Sequence, residues 1–504
     1  MPDREAIRSN AKYLRQVRPI DPEEISEYVE GGPHPAVVRQ VLREEAFDLG
    51  LTERDDGTFV PIETGTIEPP RLPIAAFPDE YTRALENQLV DAYGSDWHRG
   101  SSGDALREAI RELKEAYHQG WSVAYDDETA ALAYAIYHLP DYYAAIQYVV
   151  SELAEVGLLD RRLRVLEVGA GAGGPALGIA DAVPEDALLR YDAIEPSASA
   201  DVLEEMLEAA GPHVESTIHR TTAEAFEPGE ADATDAPGTD GEDATAYDLV
   251  VFANVLSELD DPVATARRYA EFLADDGALV LLSPADRRTS GVLRGVERAL
   301  SAGLEPQGLG DVSGLPDPDD PADDSLATVF SPSVRLWPNQ VPADEGWSFA
   351  VQPDLDVPAF QQHLDDPAGA SGEFVNVDVQ YAYATLRWDG ERRVEFTPDR
   401  GDWAPLAESG NHVSERVDCV AIKLSDDLSE GGHPLFRIGD GSQTVDHFAV
   451  LTKETALNDS LPAAEYGDLL TFESVLVLWN DDEAAYNLVV DGETIVESVD
   501  APVR

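Results

Sequence analysis

The sequence predicts an α/β protein with a mainly parallel sheet in its middle, a helical region before it and a small all-β region after it. From Leu163 onward, short apolar runs alternate with helical segments, which is typical of a parallel sheet. Before about residue 150 the apolar residues recur at helical spacing, and after about residue 390 only short strand-like runs between Gly/Asp turns remain. The predicted domains are 1–150 (helical), 151–390 (α/β, with loop insertions at 227–246 and 301–372) and 391–504 (β-rich and barrel-like).

The helical region contains three amphipathic stretches. Apolar residues recur at helical spacing in His34–Gly50 and in Ser102–Gly120. A further helix is expected to begin near Asp127, to break at Pro140 and to resume over Asp141–Val156, because proline lacks a backbone donor and clashes with the preceding turn. Several tyrosines fall in this third stretch, and we interpret them as packing residues rather than as a platform on which bases stack.

The α/β region alternates five strands with three helices before a late antiparallel pair. The predicted strands are Arg164–Val168, Leu188–Ile194, Val214–His219, Tyr247–Ala253 and Ala278–Leu282, and the predicted helices are Pro175–Ala182, Ala198–Ala210 and Ala264–Leu273. Alternation over Glu373–Trp388 predicts the antiparallel pair that closes the sheet. Two stretches rich in Asp, Gly and Pro, Glu227–Ala246 and Glu305–Asp324, predict a solvated insertion and a linker. In the all-β region, strands are predicted at Val417–Leu424, His447–Thr452, Leu469–Trp479 and Tyr486–Val490.

A glycine-rich turn after the first strand is the strongest functional signal in the chain. The stretch Leu163–Gly174 reads LRVLEVGAGAGG, a buried strand that turns sharply into a helix. Glycines let the backbone of such a turn approach a ligand and adopt unusual dihedral angles. Beginning at Gly169 the turn matches the dinucleotide pattern G-x-G-x-x-G. Beginning at Glu167 it matches E-x-G-x-G-x-G, which looks like the first motif of class I S-adenosylmethionine-dependent methyltransferases. A turn that binds nothing is the third interpretation.

The methyl-donor interpretation is favoured because an acid two residues before the first glycine is rare in nicotinamide-binding domains. It makes the middle of the chain a Rossmann-like class I methyltransferase domain with S-adenosyl-L-methionine as its cofactor. Glu195, at the end of the second strand, would accept hydrogen bonds from both ribose hydroxyls, unless it is only a solvated strand-end acid. Glu224 would contact the adenine edge, and Asn254 would face the methyl group. The candidate cofactor-binding residues are Glu167, Gly169, Ala170, Gly171, Gly173, Glu195, Glu224 and Asn254.

The requirements of catalysis are met less well than those of cofactor binding. Methylation of an amino group on a base often uses an Asn/Asp-Pro-Pro-aromatic loop after the fourth strand, but here that loop begins with Asn254 and continues VLSEL. Methylation of a pyrimidine carbon needs a cysteine nucleophile, and Cys419 lies far away in the β-rich region, where we expect it to be a small buried hydrophobe. Asn254 is therefore the catalytic candidate, and transfer by proximity alone is the alternative.

The composition is strongly acidic throughout. The chain has 99 Asp and Glu residues against 35 Lys and Arg residues, which gives a formal charge of −64. Such a surface resembles that of halophilic proteins from cells that keep molar salt in the cytoplasm, where a Debye length of about 3 Å screens the self-repulsion. The charge therefore relates to the solvent more than to a partner, and a face that binds RNA has to be a local exception.

One stretch of this acidic sequence carries a cluster of positive charge. Arg287, Arg288, Arg294 and Arg298 fall within twelve residues that contain one acid, and Arg294 and Arg298 are one helical turn apart. They are candidate RNA contacts, since clustered arginines bind phosphates. Intramolecular salt bridges to the abundant carboxylates are the equally weighted alternative.

Cysteine usage and hydropathy exclude other classes of protein. A single cysteine, Cys419, excludes a disulfide framework and a multi-cysteine metal site, and no metal ligands are predicted. The N-terminal residues form no apolar signal core, and no window approaches 18 uncharged apolar residues. We therefore expect a soluble cytoplasmic protein with no membrane partner and no DNA partner.

Three longer stretches resemble one family, the mitochondrial small-ribosomal-subunit methyltransferase-like proteins. Residues 134–146 (YAIYHLPDYYAAI) are similar to the family's Arg-x-Pro-x-x-Tyr-Ala-Ala segment, with His138 in the place of the Arg. Residues 247–259 (YDLVVFANVLSEL) resemble its fourth-strand signature, and 277–284 (GALVLLSP) its fifth strand. Many members bind an iron–sulfur cluster through cysteines after the fifth strand. Residues 330–338 contain none, so no iron–sulfur cluster is expected.

The resemblance implies an action on or at the small ribosomal subunit, in rRNA modification or in assembly. The first hypothesis is an S-adenosylmethionine-dependent methyltransferase whose partner is the small subunit or its rRNA. The second is a non-catalytic ribosome assembly or binding factor that keeps the fold and the cofactor, which the missing catalytic motif favours. A NAD-dependent oxidoreductase is the remote third, because it depends on the G-x-G-x-x-G match alone.

Overall fold

The computed structural model describes residues 3–54, 56–119, 127–228, 246–302, 326–337 and 340–499. The helices are α1 Arg4–Leu14, α2 Pro22–Tyr28, α3 Pro35–Glu44, α4 Ala46–Leu49, α5 Asp79–Tyr93, α6 Gly100–Gln119, α7 Glu128–Glu155, α8 Gly174–Ala182, α9 Ser199–Leu207, α10 Pro262–Ala270, α11 Arg287–Ala302, α12 Ala359–Asp365 and α13 Ser460–Ala463. The strands are β1 Leu51–Glu53, β2 Phe59–Pro61, β3 Arg162–Val168, β4 Leu188–Ile194, β5 Val214–His219, β6 Tyr247–Ala253, β7 Leu273–Pro284, β8 Thr328–Ser331, β9 Ala350–Gln352, β10 Val379–Arg387, β11 Arg416–Lys423, β12 Leu435–Gly439, β13 His447–Leu451, β14 Leu469–Asn480, β15 Ala485–Val490 and β16 Ile495–Ser498.

The chain divides into two compact units. The first comprises Met1–Leu249 and Asp354–Asp378, and the second comprises Val250–Pro353 and Val379–Arg504. The predicted linker 305–324 and nearly all of the predicted insertion 227–246 lie outside the described residues. Within the predicted insertion 301–372, the described part carries β8, β9 and α12.

The first unit contains the helical region and the start of the main sheet. Strands β3, β4 and β5 are parallel, with Arg162 opposite Leu188 and Leu189 opposite Val214, and their order is β5-β4-β3-β6. β6 begins in this unit and ends in the second. The sequence prediction of β4, β5 and β6 is confirmed to the residue. These strands are near-continuous apolar runs because a parallel sheet is buried on both faces.

Helix α7 runs unbroken through Pro140, so the predicted break there is wrong. Proline cannot donate to the carbonyl four residues earlier. In the structure, Nε2 of the buried Gln361 side chain donates to that carbonyl, Ile136 O, at 2.9 Å. Asn376 Nδ2 donates to the next carbonyl, Tyr137 O, at 3.0 Å. Two side chains that are more than 200 residues away in sequence thus satisfy the part of the helix that proline weakens.

The second unit completes the main sheet and adds a closed barrel. Its sheet order is β6-β7-β10-β8, with β9 also on β10, and β10 runs antiparallel to β7 with Tyr381 opposite Pro284. The predicted antiparallel pair at residues 373–388 is instead the single strand β10, and the expected antiparallel pairing at this place is confirmed because β10 pairs with β7, β8 and β9. Strands β11-β12-β13-β15-β14 close on themselves through β11–β14 pairing, and β16 pairs with β14. The predicted fold class, a Rossmann-like α/β domain with a helical region before it and a barrel after it, is confirmed.

Helices α7 and α8 approach each other so closely that α8 needs glycine at the contact. A Cβ on Gly178 would lie 2.5 Å from Tyr143 O and nearer still to the Ile146 side chain. Gly295, inside α11, faces open space with nothing within 4 Å of such an atom. Gly178 is therefore required by packing, whereas Gly295 is not.

We expect G178A and G295A to shift stability in opposite directions. Overpacking should make G178A less stable by about 1–3 kcal/mol. G295A should gain about 0.5–1 kcal/mol, because alanine loses less backbone entropy in a helix. Thermal unfolding in molar KCl measures both. An unchanged midpoint for G178A would contradict the close approach of the two helices.

Candidate active site

The turn after β3 has the left-handed backbone that its glycines predict. The φ angles are 69° at Gly169, 53° at Gly171 and 97° at Gly173, in the region that L side chains rarely adopt. The amides of Gly169 and Ala170 both donate to Ile194 O, at 2.9 and 3.1 Å. The turn is thus tied to the end of β4, and helix α8 starts directly after it.

Glu195 also binds the glycine turn, through its carboxylate. It is 6% exposed, and its Oε2 accepts from Gly171 N at 2.8 Å. Its Oε1 accepts from Ser197 N at 2.9 Å. A carboxylate oxygen has two lone pairs, so these contacts leave acceptor capacity for the ribose hydroxyls, and that role stays a prediction. The structure brings Glu195 against the glycine turn, a contact that the sequence prediction of ribose binding did not include.

Glu167 is a buried acid, and one of its carboxyl oxygens has no hydrogen-bond partner among the described residues. The side chain is inaccessible, Tyr191 Oη donates to its Oε2 at 2.7 Å, and Oε1 has no partner among the described residues. Burial raises the pKa of Glu167 to about 8; the Tyr191 hydrogen bond opposes this, and the negative charge of Glu195 adds to it. Because buried polar atoms are normally paired, this oxygen is suited to a positively charged or hydrogen-donating ligand group.

Helix α7 covers the glycine turn with partly exposed aromatic side chains. A Cβ on Gly171 would lie 3.2 Å from the ring of Tyr134, and one on Gly174 would lie 2.8 Å from Tyr142 Cβ. Both tyrosines remain partly exposed, although most of this helix is buried. The interpretation of these tyrosines as packing residues therefore missed a surface beside the turn. The 134, 138, 142 spacing, one face of a helix, was the signal available in the sequence.

Asn254 lies in the second unit and follows β6, as predicted. Its φ of 60° is unusual for a residue other than glycine, and its amide donates to Leu282 O at 2.8 Å. Its buried Nδ2 has no partner among the described residues. Backbone strain and an unpaired polar atom are typical of functional positions, so the predicted role next to the methyl group stays open. The next residues, Leu256–Glu258, form a single 3₁₀ turn.

Glu224 lies in the turn after β5 and is exposed. The amides of Ala225 and Phe226 donate to Thr222 O there, and the Phe226 ring packs on His219 at 4.9 Å. The contact of Glu224 with adenine stays a prediction.

Cys419 is buried in the barrel core, where burial raises the pKa of its thiol far above the ordinary value. Its interpretation as a buried hydrophobe is confirmed.

The predicted RNA-contact patch is wrong for Arg294 and Arg298. Both lie on one face of α11, as expected, but that face points into the second unit. Arg294 is 3% exposed and donates to Tyr383 O and Tyr466 Oη, each at 2.8 Å. Arg298 donates to Asp344 Oδ1 at 2.6 Å. The alternative of internal salt bridges holds for this pair, because in an acidic chain buried arginines satisfy buried acceptors.

The other two arginines of the patch, Arg287 and Arg288, are exposed at the start of α11. The Arg287 guanidinium lies over the Trp347 ring at 4.8 Å and 3.6 Å from Glu345. Such a surface ion pair is weak. These two residues alone remain candidates for a phosphate contact.

Comparison with protein families identifies the middle of the chain. Residues 166–279, from within β3 to within β7, match a methyltransferase domain family. This part of the chain is similar to methyltransferase domains. The match supports the prediction of an S-adenosylmethionine-dependent methyltransferase of class I and favours the methyl-donor interpretation of the glycine turn over the dinucleotide one. Residues 4–55 and 407–499 match the N-terminal and C-terminal domains of a family described as a domain of unknown function, DUF8157.

The structural neighbours include several methyltransferases. The mitomycin 7-O-methyltransferase MmcR is 17% identical over 56% of this chain and 75% of its own, with a TM-score of 0.23. NcsB1, an O-methyltransferase from neocarzinostatin biosynthesis solved with S-adenosylmethionine, is 16% identical over 56% and 79%, with a TM-score of 0.26. YcgJ from Bacillus subtilis is 19% identical over 28% of this chain, which spans about half (53%) of YcgJ, with a TM-score of 0.19. Similarities this low say nothing about the substrate of this chain.

No curated protein matches the sequence. Within the described ranges, no helix combines the length and apolarity needed to cross a membrane.

We expect Glu167 to make stability depend on pH. The carboxyl group keeps its proton in the folded protein up to about pH 8, whereas in the unfolded chain it ionises near 4.5. Stability of the wild type should therefore fall between about pH 5 and 8, by at most about 1.4 kcal/mol per pH unit, and then level off. E167Q removes this slope, and E224Q, at an exposed site, should not. A constant difference between E167Q and wild type from pH 5 to 8 would contradict the raised pKa.

Replacing Arg294 should damage the fold rather than an RNA contact. R294A leaves the buried Glu297, which lies 3.1 Å from Arg294 Nη1, without its ion pair, and removal of one partner of a buried pair costs about 3–5 kcal/mol. The matched change at the exposed Arg287, R287A, should change stability by less than about 0.5 kcal/mol. Thermal unfolding of the two variants decides this, and equal midpoints would show that Arg294 is not structurally required.

Proposed function

We propose that the chain binds S-adenosyl-L-methionine at the turn after β3 and acts on or at the small ribosomal subunit, with its rRNA as the methyl acceptor. The observation that carries cofactor binding is the unpartnered Oε1 of the buried Glu167, next to a glycine turn in a methyltransferase domain. An amino-acid ligand brings an ammonium group, which is the kind of partner this oxygen needs. The residues present therefore fit the cofactor.

Each residue of the site has a distinct task in this proposal. Glu167 orients the ammonium group, directly or through water. The backbone of Gly169–Gly173 approaches the amino-acid part, and Glu195 accepts from the ribose while it fixes Gly171. The bound cofactor supplies an electrophilic methyl group on a sulfonium. Asn254 is the candidate beside that methyl group.

The target rests on the sequence resemblance. The stretches 134–146, 247–259 and 277–284 are the parts of the chain that resemble the small-subunit methyltransferase-like proteins. An rRNA acceptor would have to approach a chain with a charge of −64, so local arginines have to offset the repulsion. The proposed contacts are Arg287 and Arg288, which are exposed at the start of α11.

A second candidate function is that of a non-catalytic assembly factor that keeps the cofactor as a structural ligand. The 3₁₀ turn Leu256–Glu258 favours it, because this turn follows Asn254 where base methyltransferases often carry Pro-Pro-aromatic. In that case the bound cofactor would stabilise a surface rather than react.

Calorimetry in molar KCl tests the proposal first. S-adenosylmethionine should bind and NAD should not. At pH 7 binding should release up to about one proton, because an ammonium group beside Glu167 lowers the raised pKa of this carboxyl. E167Q should bind more weakly and release none, whereas E185Q, a change at an exposed residue outside the site, should bind and release the proton like the wild type. If the protein bound NAD but not S-adenosylmethionine, the proposal would be wrong.

Maps of rRNA methylation from wild-type and deletion strains then separate the two functions. A site that loses its methyl group on deletion and regains it with the purified protein supports the enzyme. An unchanged map together with a small-subunit assembly defect supports the factor. An unchanged map with normal subunits rules out the ribosomal target.

A further inference from the structure

We propose that His138 is the catalytic base of the methyltransferase domain, oriented by Asp141 and Asn376, and that the acceptor is a planar ring carrying an N–H or O–H group. This inference rests on the proposed function and goes beyond it, since it names a proton acceptor, which the sequence pattern alone did not identify. It concerns the first unit alone, where these residues meet beside the glycine turn.

His138 has the arrangement of an oriented imidazole. Its Nδ1 lies 3.5 Å from Asp141 Oδ2 and 3.5 Å from Asn376 Nδ2. The carboxylate favours the tautomer that carries the proton on Nδ1, which leaves a lone pair on Nε2. The Asn376 amide is a donor and favours the opposite tautomer, but a contact with a charged carboxylate is the stronger of the two. Among the described residues Nε2 has no hydrogen-bond partner, and the side chain is 25% exposed. The distances are long, as is common for catalytic hydrogen bonds before a ligand closes the site.

Of the two residues that contact His138 Nδ1, Asp141 is largely buried and Asn376 is held by hydrogen bonds. The Asp141 side chain is only 13% exposed, and its Oδ1 has no hydrogen-bond partner within the described part of the chain. Asn376 donates to Tyr137 O, and its own amide donates to Gln361 Oε1 at 3.0 Å. Asn376 therefore fixes the helix at the turn where Pro140 removes a donor and lies against the imidazole at the same time. Packed side chains of this kind keep a base in one orientation.

The location connects this group with the cofactor turn. Tyr142 stacks on the His138 ring at 4.8 Å and 16°, and Tyr134 lies 5.1 Å from it. Tyr134 is also the residue that packs against Gly171, and Tyr142 the one that packs against Gly174. Residues 134, 138 and 142 thus form one partly exposed helix face, called here the aromatic face, which borders the turn.

The aromatic face also indicates the class of acceptor. Its three rings, with Tyr137 edge-on to His138 at 4.9 Å, present flat surfaces on which a heteroaromatic or phenolic ring can stack. A nucleobase of the proposed rRNA target belongs to this class. Lys114 Nζ lies 4.3 Å from the centre of the Tyr137 ring and also donates a hydrogen bond to Glu373 O.

The reaction balances with these groups. A bond forms between the acceptor nitrogen or oxygen and the methyl carbon. The carbon–sulfur bond of the sulfonium breaks, and its electron pair stays on sulfur, which becomes a neutral thioether. The proton of the acceptor passes to His138 Nε2 and then to solvent, while Asp141 stabilises the resulting imidazolium.

The first test measures methyl transfer to small subunits from a deletion strain, with methyl-labelled S-adenosylmethionine in molar KCl. H138A should lower the rate constant at saturating cofactor by about 10²–10⁴-fold, and free imidazole should restore part of it. Cofactor affinity by calorimetry should stay within threefold. The matched control is H363A, because His363 also pairs with a carboxylate, Glu86 at 2.9 Å, but belongs to α12 and not to the aromatic face. Its rate should stay at the wild-type level.

The second test needs no acceptor. In protein with ¹⁵N-labelled histidine, the His138 ring should show the tautomer protonated at Nδ1. D141N should weaken that preference, whereas N376A should not, because the Asn376 amide is a donor that faces Nδ1. D141N should also lower the rate constant without changing cofactor affinity. A wild-type ring protonated at Nε2 would overturn the proposal.

The outcomes separate this inference from the function on which it rests. If the wild type transfers methyl groups and H138A keeps more than a third of the rate, His138 is not the base and the proposed function stands. If the wild type binds the cofactor but methylates nothing, the enzyme hypothesis fails and the role of His138 fails with it.

Discussion

The close packing of α7 on the glycine turn is the constraint on which the rest of the site depends. Gly171, Gly174 and Gly178 each lack a Cβ where one would meet Tyr134, Tyr142 or Ile146. The absence of three side chains lets a 28-residue helix lie directly against a cofactor turn. Because protein interiors are packed as densely as organic crystals, this contact fixes the position of the aromatic face relative to Glu167 and Glu195 without any flexible loop.

The segment Asp354–Asp378 gives the same helix a second support. Gln361 and Asn376 donate to the carbonyls that Pro140 leaves weakly bonded. A proline inside a helix normally costs about 3 kcal/mol or more, and here two amides offset part of that cost. Asn376 also contacts His138, which lies within one turn of this proline. The place where Pro140 weakens the helix is thus also the place where Asn376, far away in sequence, contacts His138 of the proposed catalytic group.

Buried charge is used in two different ways. In the second unit Arg437 is 1% exposed and pairs with Asp344 at 2.8 Å and Asp446 at 2.6 Å, and Asp344 also pairs with Arg298. These groups stabilise one another, so they serve the fold. Glu167 in the first unit accepts from Tyr191 on one oxygen and has no partner on the other among the described residues, and burial raises its pKa. Ionising such a buried carboxyl without a partner is costly, and raised pKa values of this kind are characteristic of ligand sites.

The sequence by itself determined the order of elements, the parallel strands and the glycine turn with Glu167 and Glu195. These follow from local signals, since strand periodicity and turn chemistry act over a few residues. It could not determine whether Arg294 faces solvent, whether Pro140 breaks α7 or whether His138 meets Asn376. Each of these depends on a contact between residues far apart in the chain, and only the tertiary structure decides which donors satisfy which acceptors when water is excluded.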